Sequence, residues 1–136
     1  MGLNVSHDAF DGAYSAFNRF RGIIAKAMGG SWPPHEDKNL DDNLWYYDDE
    51  NFSEKTQPGL FELMRHSDCD GYITPGKCKK VADELEDLLP KLEQLQETHG
   101  LGGGHIENSR GYVAVAKRFI AGCRLAHESK ERLLFR

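Results

Sequence analysis

Thr74-Pro75-Gly76-Lys77-Cys78-Lys79-Lys80-Val81-Ala82-Asp83-Glu84-Leu85-Glu86-Asp87-Leu88-Leu89-Pro90-Lys91-Leu92-Glu93-Gln94-Leu95 is the stretch on which the fold turns. Cys78, Val81, Ala82, Leu85, Leu88, Leu89, Leu92 and Leu95 recur at steps of three and four, so they form one apolar stripe of an α-helix. Thr74 and Pro75 read as its N-cap and first residue: the hydroxyl can accept a free N–H, and proline has none to leave unsatisfied. Pro90 is expected to kink or interrupt the helix near Leu89, because it removes one backbone donor.

Apolar faces lie on either side of this stripe. Upstream, Pro58 opens a short helix with Leu60, Phe61, Leu63 and Met64 turned inward. Further back, Phe10, Ala13, Tyr14, Phe17, Ile24 and Met28 keep helical spacing. Ser6 is expected to cap that helix, with Asp8 and Asp11 near its positive end and Gly29-Gly30 closing it. Downstream, Gly100 to Gly104 make a flexible connection, and Asn108 or Ser109 caps a last helix whose stripe is Tyr112, Val115, Phe119, Cys123 and Ala126. Leu133-Leu134-Phe135 is expected to dock on the core. Residues 31–57 carry Trp32-Pro33-Pro34 and then Leu44-Trp45-Tyr46-Tyr47 between two acidic runs, which suits a surface loop pinned by aromatics, or a lid or partner-binding loop. The expectation is an all-α, mainly helical single domain over residues 1–136. It is a bundle of about four helices with long irregular loops near 31–57 and 98–108.

The totals exclude several classes of function. The chain has 136 residues and a net charge of −5, from 22 acids against 17 bases. A DNA or RNA polymer binder needs a basic excess, so no nucleic-acid partner is expected. No apolar run nears the roughly 20 residues that span a bilayer, and no secretory leader is visible, so no membrane association is expected. Gly2 and Ser6 fit a myristoylation pattern, but no polybasic patch follows to supply a second anchor. The three cysteines, Cys69, Cys78 and Cys123, cannot all pair within one chain and read as reduced thiols of a cytoplasmic protein.

The chemistry gathers at His66-Ser67-Asp68-Cys69-Asp70-Gly71-Tyr72-Ile73, between the second helix and the long one. Asp-x-Asp-Gly-x-Ile between two helices is EF-hand-like, with Gly71 at the sixth loop position and Ile73 at the eighth. Two positions break the pattern. The first is His66, where calcium wants a carboxylate, and the twelfth is Lys77, where a bidentate glutamate belongs. A zinc site from His66, Cys69, Cys78 and His105 is the other metal reading. It lacks a Cys-x-x-Cys pair, and Cys78 falls on the apolar stripe. No metal and no cofactor is therefore expected. The plainest role of the loop is structural: Asp68 and Asp70 in Asx turns, and Gly71 supplying positive φ.

His66-Ser-Asp-Cys-Asp-Gly-x-Ile73 is followed by Cys78, Ala82-Asp83-x-Leu85-Glu86-x-Leu88-Leu89-Pro90, Gly-Gly-His105-Ile106 and Phe119-Ile-x-Gly-Cys-Arg124-x-Ala126. With Gly12-Ala-Tyr-Ser-Ala-Phe-Asn-Arg-Phe-Arg21, these motifs resemble a family of small proteins found in tailed bacteriophages, prophages and gut bacteria, to which no activity attaches. The resemblance touches most of the chain outside 31–57. It implies a phage-type context, in the cytoplasm of a host bacterial cell, and the pooling of these motifs into one site.

The polar residues so pooled are Arg19, Arg21, His66, Asp68, Asp70, His105 and Arg124. Arginine with histidine suits an anionic ligand, because the guanidinium fork bonds phosphate or carboxylate in two places. Arg19 and Arg21 lie about 200° apart on a helix, so only one can enter a pocket, and Arg21 is the better candidate. The expected ligand-binding set is Arg21, His66, Asp68, Asp70, His105 and Arg124, with no catalytic residue assigned. Three readings stay open. The first is a non-enzymatic binding module for a small anionic, nucleotide-like molecule, by analogy a counter-defence sponge that sequesters a host signalling nucleotide. The second is a hydrolase acting on such a molecule through His and Asp residues. The third is a degenerate EF-hand-like interaction module. A pocket between subunits would make the chain a homo-oligomer.

Overall fold

The structure is a computed structural model, and it describes residues 2–27, 57–65, 71–99 and 111–136. Among these residues it is mainly helical, with four helices and four short strands. In chain order they are β1 (Gly2–Val5), β2 (Phe10–Ala13), α1 (Tyr14–Ala27), α2 (Pro58–Arg65), β3 (Tyr72–Ile73), α3 (Pro75–His99), α4 (Tyr112–Glu128) and β4 (Leu133–Leu134).

The start of the chain differs from the helix expected there. Residues 2–13 form an antiparallel hairpin in which Leu3 pairs with Gly12 and Val5 with Phe10. Leu3 and Val5 alternate with exposed Gly2 and Asn4, the period-two pattern of a half-buried strand. The turn is closed by the Ala9 N–H on the Ser6 carbonyl at 3.2 Å. Its central residues, His7 and Asp8, both have φ near 60° (60° and 59°), which an Asp or His tolerates better than most side chains and a tight hairpin requires. Ser6 caps no helix. Its Oγ accepts the N–H of Leu134 at 2.8 Å, so the hydroxyl tethers the far end of the chain.

That tether belongs to a small sheet closed by the C-terminal residues. β4 pairs antiparallel with β3, Tyr72 opposite Leu134 and Ile73 opposite Leu133. On its other side Val5 faces Phe135, and Asn4 and Arg136 exchange both backbone bonds at 2.9 Å. Residues 133–136 therefore lie between the N-terminal hairpin and β3, and Leu133 and Phe135 are buried, as the apolar tail suggests.

α3 is the spine. Cys78, Val81, Ala82, Leu85, Leu88 and Leu92 are buried along it, with Leu89 and Leu95 packed against the core. Thr74 occupies the expected N-cap position, its Oγ1 accepting the Lys77 N–H at 3.4 Å. The helix runs on through Pro90 instead of stopping at Leu89. Pro90 and Glu86, the residue whose carbonyl loses a helical donor, are both exposed, so water can replace the missing bond. Leu88 and Leu92 keep the segment docked on either side.

α3 also caps its neighbours. Glu84 accepts the N–H groups of Gly59 and Leu60 at 2.8 and 3.2 Å, placing a carboxylate at the positive end of α2. Gln96 Oε1 accepts the Val113 N–H at 3.1 Å in the first turn of α4. The N-cap of α4 is Gly111, which makes no side-chain cap bond; Asn108 and Ser109 lie outside the described residues. Phe17 sits at the centre of the aromatic core, with ring centroids of Phe10, Phe135, Phe119 and Phe20 at 5.2, 5.8, 6.3 and 6.4 Å.

Candidate functional site

α1 carries its two arginines to opposite fates. Arg19 is exposed, while Arg21 is 2% exposed and is the one buried charged side chain among the described residues. The two-residue step accounts for the split, since Phe17 and Phe20 fix which face of α1 enters the core. The Arg21 guanidinium lies over the Phe17 ring, 4.7 Å from its centroid. Its Nη1 donates to the Leu63 carbonyl at 3.3 Å. Leu63 belongs to the last turn of α2, where backbone carbonyls lose their helical donors and the dipole is negative, so a cation is favourable there. Arg21 thus clamps the end of the helix that runs into residues 66–70.

Beyond those residues the chain re-enters the described structure at Gly71, whose φ of 98° is the left-handed backbone expected of it. Its carbonyl accepts the Phe135 N–H at 2.9 Å. Tyr72 and Ile73, expected as the end of a loop, follow as β3, and Pro75 starts α3, so helices flank the motif on both sides as expected. Tyr72 stacks under Arg132, whose guanidinium carbon is 4.4 Å from the ring centroid.

Arg124 stands at the outer edge of α4, facing α3. Its Nη1 donates to Asp83 at 3.0 Å, and its Nη2 bonds Glu86. Lys79 and then Arg124 hold the Asp83 carboxyl below its ordinary range, and Asp83 in turn raises Arg124. Arg21 bonds at the α1–α2 contact and Arg124 at the α3–α4 surface. An anion reaching Arg124 competes with two carboxylates already there. His66, Asp68, Asp70 and His105 lie outside the described residues.

Of the four residues in the zinc reading, Cys78 alone is described. It is fully buried, with its thiol donating to the Ile73 carbonyl at 3.7 Å. Among the described residues no group of three or more His, Cys, Asp or Glu is placed to hold a metal, and no helix is long and apolar enough to cross a membrane. The pairings that sequence reasoning missed are the cross-helix caps, Glu84 on α2 and Gln96 on α4. Burial pushes the Glu84 carboxyl above its ordinary value, against the two N–H bonds that favour its charge.

No protein-family model, no curated protein and no solved structure matches this chain.

Proposed function

We propose that the chain is a non-enzymatic binding module for a small anionic, nucleotide-like molecule, recognised by Arg21 together with His66, Asp68, Asp70 and His105. Arg21 carries the reading: it is buried, and its guanidinium is held by Phe17 and the Leu63 carbonyl at the end of α2. Taking a guanidinium out of water costs several kcal/mol, roughly, unless its surroundings repay it. A fork whose orientation is already fixed loses little further entropy when it bonds a phosphate or carboxylate. Arg124, whose fork already holds Asp83 and Glu86, joins only by exchanging a carboxylate for the ligand. In the phage-type setting that the resemblance implies, such a module would sequester a host signalling nucleotide.

The test is a thermal-shift screen with mono-, di- and cyclic nucleotides and inorganic phosphate, followed by calorimetry. The Arg21→Lys variant keeps the charge and loses the fork. At least one of these anions should raise the melting temperature, and Arg21→Lys should weaken it about ten-fold or more, equal to about 1.4 kcal/mol. No stabilisation by any of them, or unchanged affinity in a folded Arg21→Lys, rejects the proposal. Conversion of the nucleotide to a new product would replace it with the hydrolase reading.

The second reading is an EF-hand-like interaction module. Gly71 at φ 98°, β3 at the seventh and eighth loop positions and α3 starting at the tenth favour it. Calcium titration separates the two.

A further inference from the structure

Ser6, His7 and Glu131 form a hydrogen-bonded chain where the β1–β2 turn meets the C-terminal segment. Ser6 Oγ and His7 Nδ1 are 2.8 Å apart, and His7 Nε2 and Glu131 Oε1 are 3.1 Å apart. A carboxylate only accepts, so Nε2 carries the ring proton of neutral His7 and donates it to Glu131. Nδ1 is then the acceptor, and the Ser6 hydroxyl donates to it. The same Oγ accepts the Leu134 N–H at 2.8 Å, a bond that favours negative charge on the oxygen as its proton leaves. Backbone and neighbours fix the place of the ring. His7 has φ 60°, a left-handed conformation that glycine would adopt without a Cβ penalty. The residue present instead carries an imidazole, bonded to an acid 124 positions away. Arg118 holds the other central residue of the turn, donating from Nε to the Asp8 carbonyl at 2.8 Å and from Nη2 to the Asp8 carboxylate at 2.7 Å. Gly122 of α4 leaves no room for a Cβ beside Ala9, so the turn is seated against α4.

We propose that Ser6 is an acyl-accepting nucleophile, with His7 as its general base and Glu131 as the positioning residue, and that the three cleave small carboxylic esters. A nucleophile, its base and a third group orienting the base stand in hydrogen-bond sequence, the arrangement that lets a weakly acidic hydroxyl attack a carbonyl. Ser6 Oγ attacks the ester carbonyl carbon while its proton passes to His7 Nδ1. The bond from that carbon to the alcohol oxygen breaks, and the leaving oxygen takes the proton from Nδ1. Ser6 is left as its ester. Water then adds to the acyl carbon and gives a proton to Nδ1, which returns it to Oγ as the acid leaves. In sum, one ester and one water give one acid and one alcohol, with no oxidation or reduction. Ser6 and His7 are half-buried, which admits a small acyl group. None of the three residues belongs to the anion-binding set, so this activity stands beside that reading and does not rest on it.

The experiment uses the full chain and p-nitrophenyl acetate, with acetyl groups mapped by mass spectrometry after a timed acid quench. Exposed Ser129 is the internal reference. Ser6 should be acetylated about 100-fold or more faster than Ser129, the usual yield of a positioned base. Release of p-nitrophenolate should continue past one equivalent per chain. His7→Gln, in a chain whose melting temperature shows it folded, should remove the advantage of Ser6. The role of Glu131 has its own readout. Long-range proton–nitrogen NMR should find the His7 ring proton on Nε2 in wild type, and a mixture of both tautomers with slower Ser6 acetylation in Glu131→Ala. Equal labelling of Ser6 and Ser129 in wild type overturns the proposal without any variant. So does release that stops at one equivalent, a folded His7→Gln acetylated at Ser6 as fast as wild type, or a wild-type His7 whose proton sits on Nδ1.

Discussion

Gly59 rests directly on the backbone of Val81: a Cβ at Gly59 would lie 2.3 Å from the Val81 nitrogen and 2.4 Å from the Lys80 carbonyl carbon. No side chain can swing aside there, because the obstructing atoms are the α3 backbone itself. Gly59→Ala should therefore force α2 off α3 and cost about 3 kcal/mol, the upper end for overpacking. Gly76→Ala, with nothing within 4 Å of the added carbon, should change stability by less than about 0.5 kcal/mol or raise it slightly. Urea denaturation of the two variants checks both. Equal midpoints would mean that α2 is not seated as described.

The same contact brings Glu84 onto the first free N–H groups of α2, with opposite consequences for pH from those of Asp83. Burial raises Glu84 in the fold, so its contribution favours the folded chain below the ordinary glutamate range and is lost as pH rises through the raised value. Lys79 and Arg124 lower Asp83, so its contribution is present above the ordinary aspartate range and is lost as pH falls through the lowered value. Stability measured from about pH 7 down to about pH 3 should thus fall less steeply in Asp83→Asn than in wild type. Glu84→Gln should lose the gain that wild type shows between neutral pH and the carboxylate range. Parallel profiles for all three proteins would contradict both assignments.

The α3 stripe, the Thr74-Pro75 start and the docked tail were legible because each depends on neighbours in sequence. So was the inward turn of Arg21, since a two-residue step and the position of Phe17 decide it. The hairpin was not. Phe10, Ala13, Tyr14 and Phe17 keep helical spacing, and this outweighed the shorter alternation of Leu3 and Val5. What settles it is Leu134, which bonds Ser6 from the other end of the chain and has no trace in the local pattern. Cross-helix caps are unreadable for the same reason: Glu84 and Gln96 look like ordinary polar residues of α3 until α2 and α4 are set beside them. The acidic partners of Arg124 stand 41 and 38 residues away from it.

α4 ends in a Schellman motif. The Lys130 N–H bonds the His127 carbonyl at 3.1 Å, and the Glu131 N–H bonds the Ala126 carbonyl at 2.9 Å. The left-handed residue is Lys130, with φ 56°, where glycine would carry no Cβ penalty. Lys130 is exposed, so nothing else is lost on replacing it. Lys130→Gly should stabilise the chain by about 0.5–1 kcal/mol, read as a higher urea midpoint at unchanged m-value. A lower midpoint would show that the lysine side chain contributes more than the strain removes.

Calcium should not bind the wild-type chain at sensor strength, although the backbone around Gly71 keeps part of a calcium loop's form. Gly71 and Phe135 are joined by a backbone bond, and antiparallel ladders alternate bonded with non-bonded pairs, so the opposed Tyr72 and Leu134 make a non-bonded pair. The Tyr72 carbonyl then points away from β4, as the seventh position of such a loop needs. Pro75, at the tenth position, opens α3 and leaves Lys77, at the twelfth, in its first turn. The backbone is therefore suitable where it is described, and side-chain chemistry decides. His66 at the first position offers nitrogen to a hard cation, and Lys77 brings a positive charge where two carboxylate oxygens are required. Calorimetry at physiological ionic strength should show no site with a Kd in the range of about 0.1–10 μM. The double substitution His66→Asp and Lys77→Glu should create binding on the order of 100 μM or tighter, by supplying a monodentate and a bidentate carboxylate. Micromolar binding by wild type would move the preferred function to the EF-hand-like module. Failure of the double variant to bind would show that the loop lacks the calcium geometry its ends suggest.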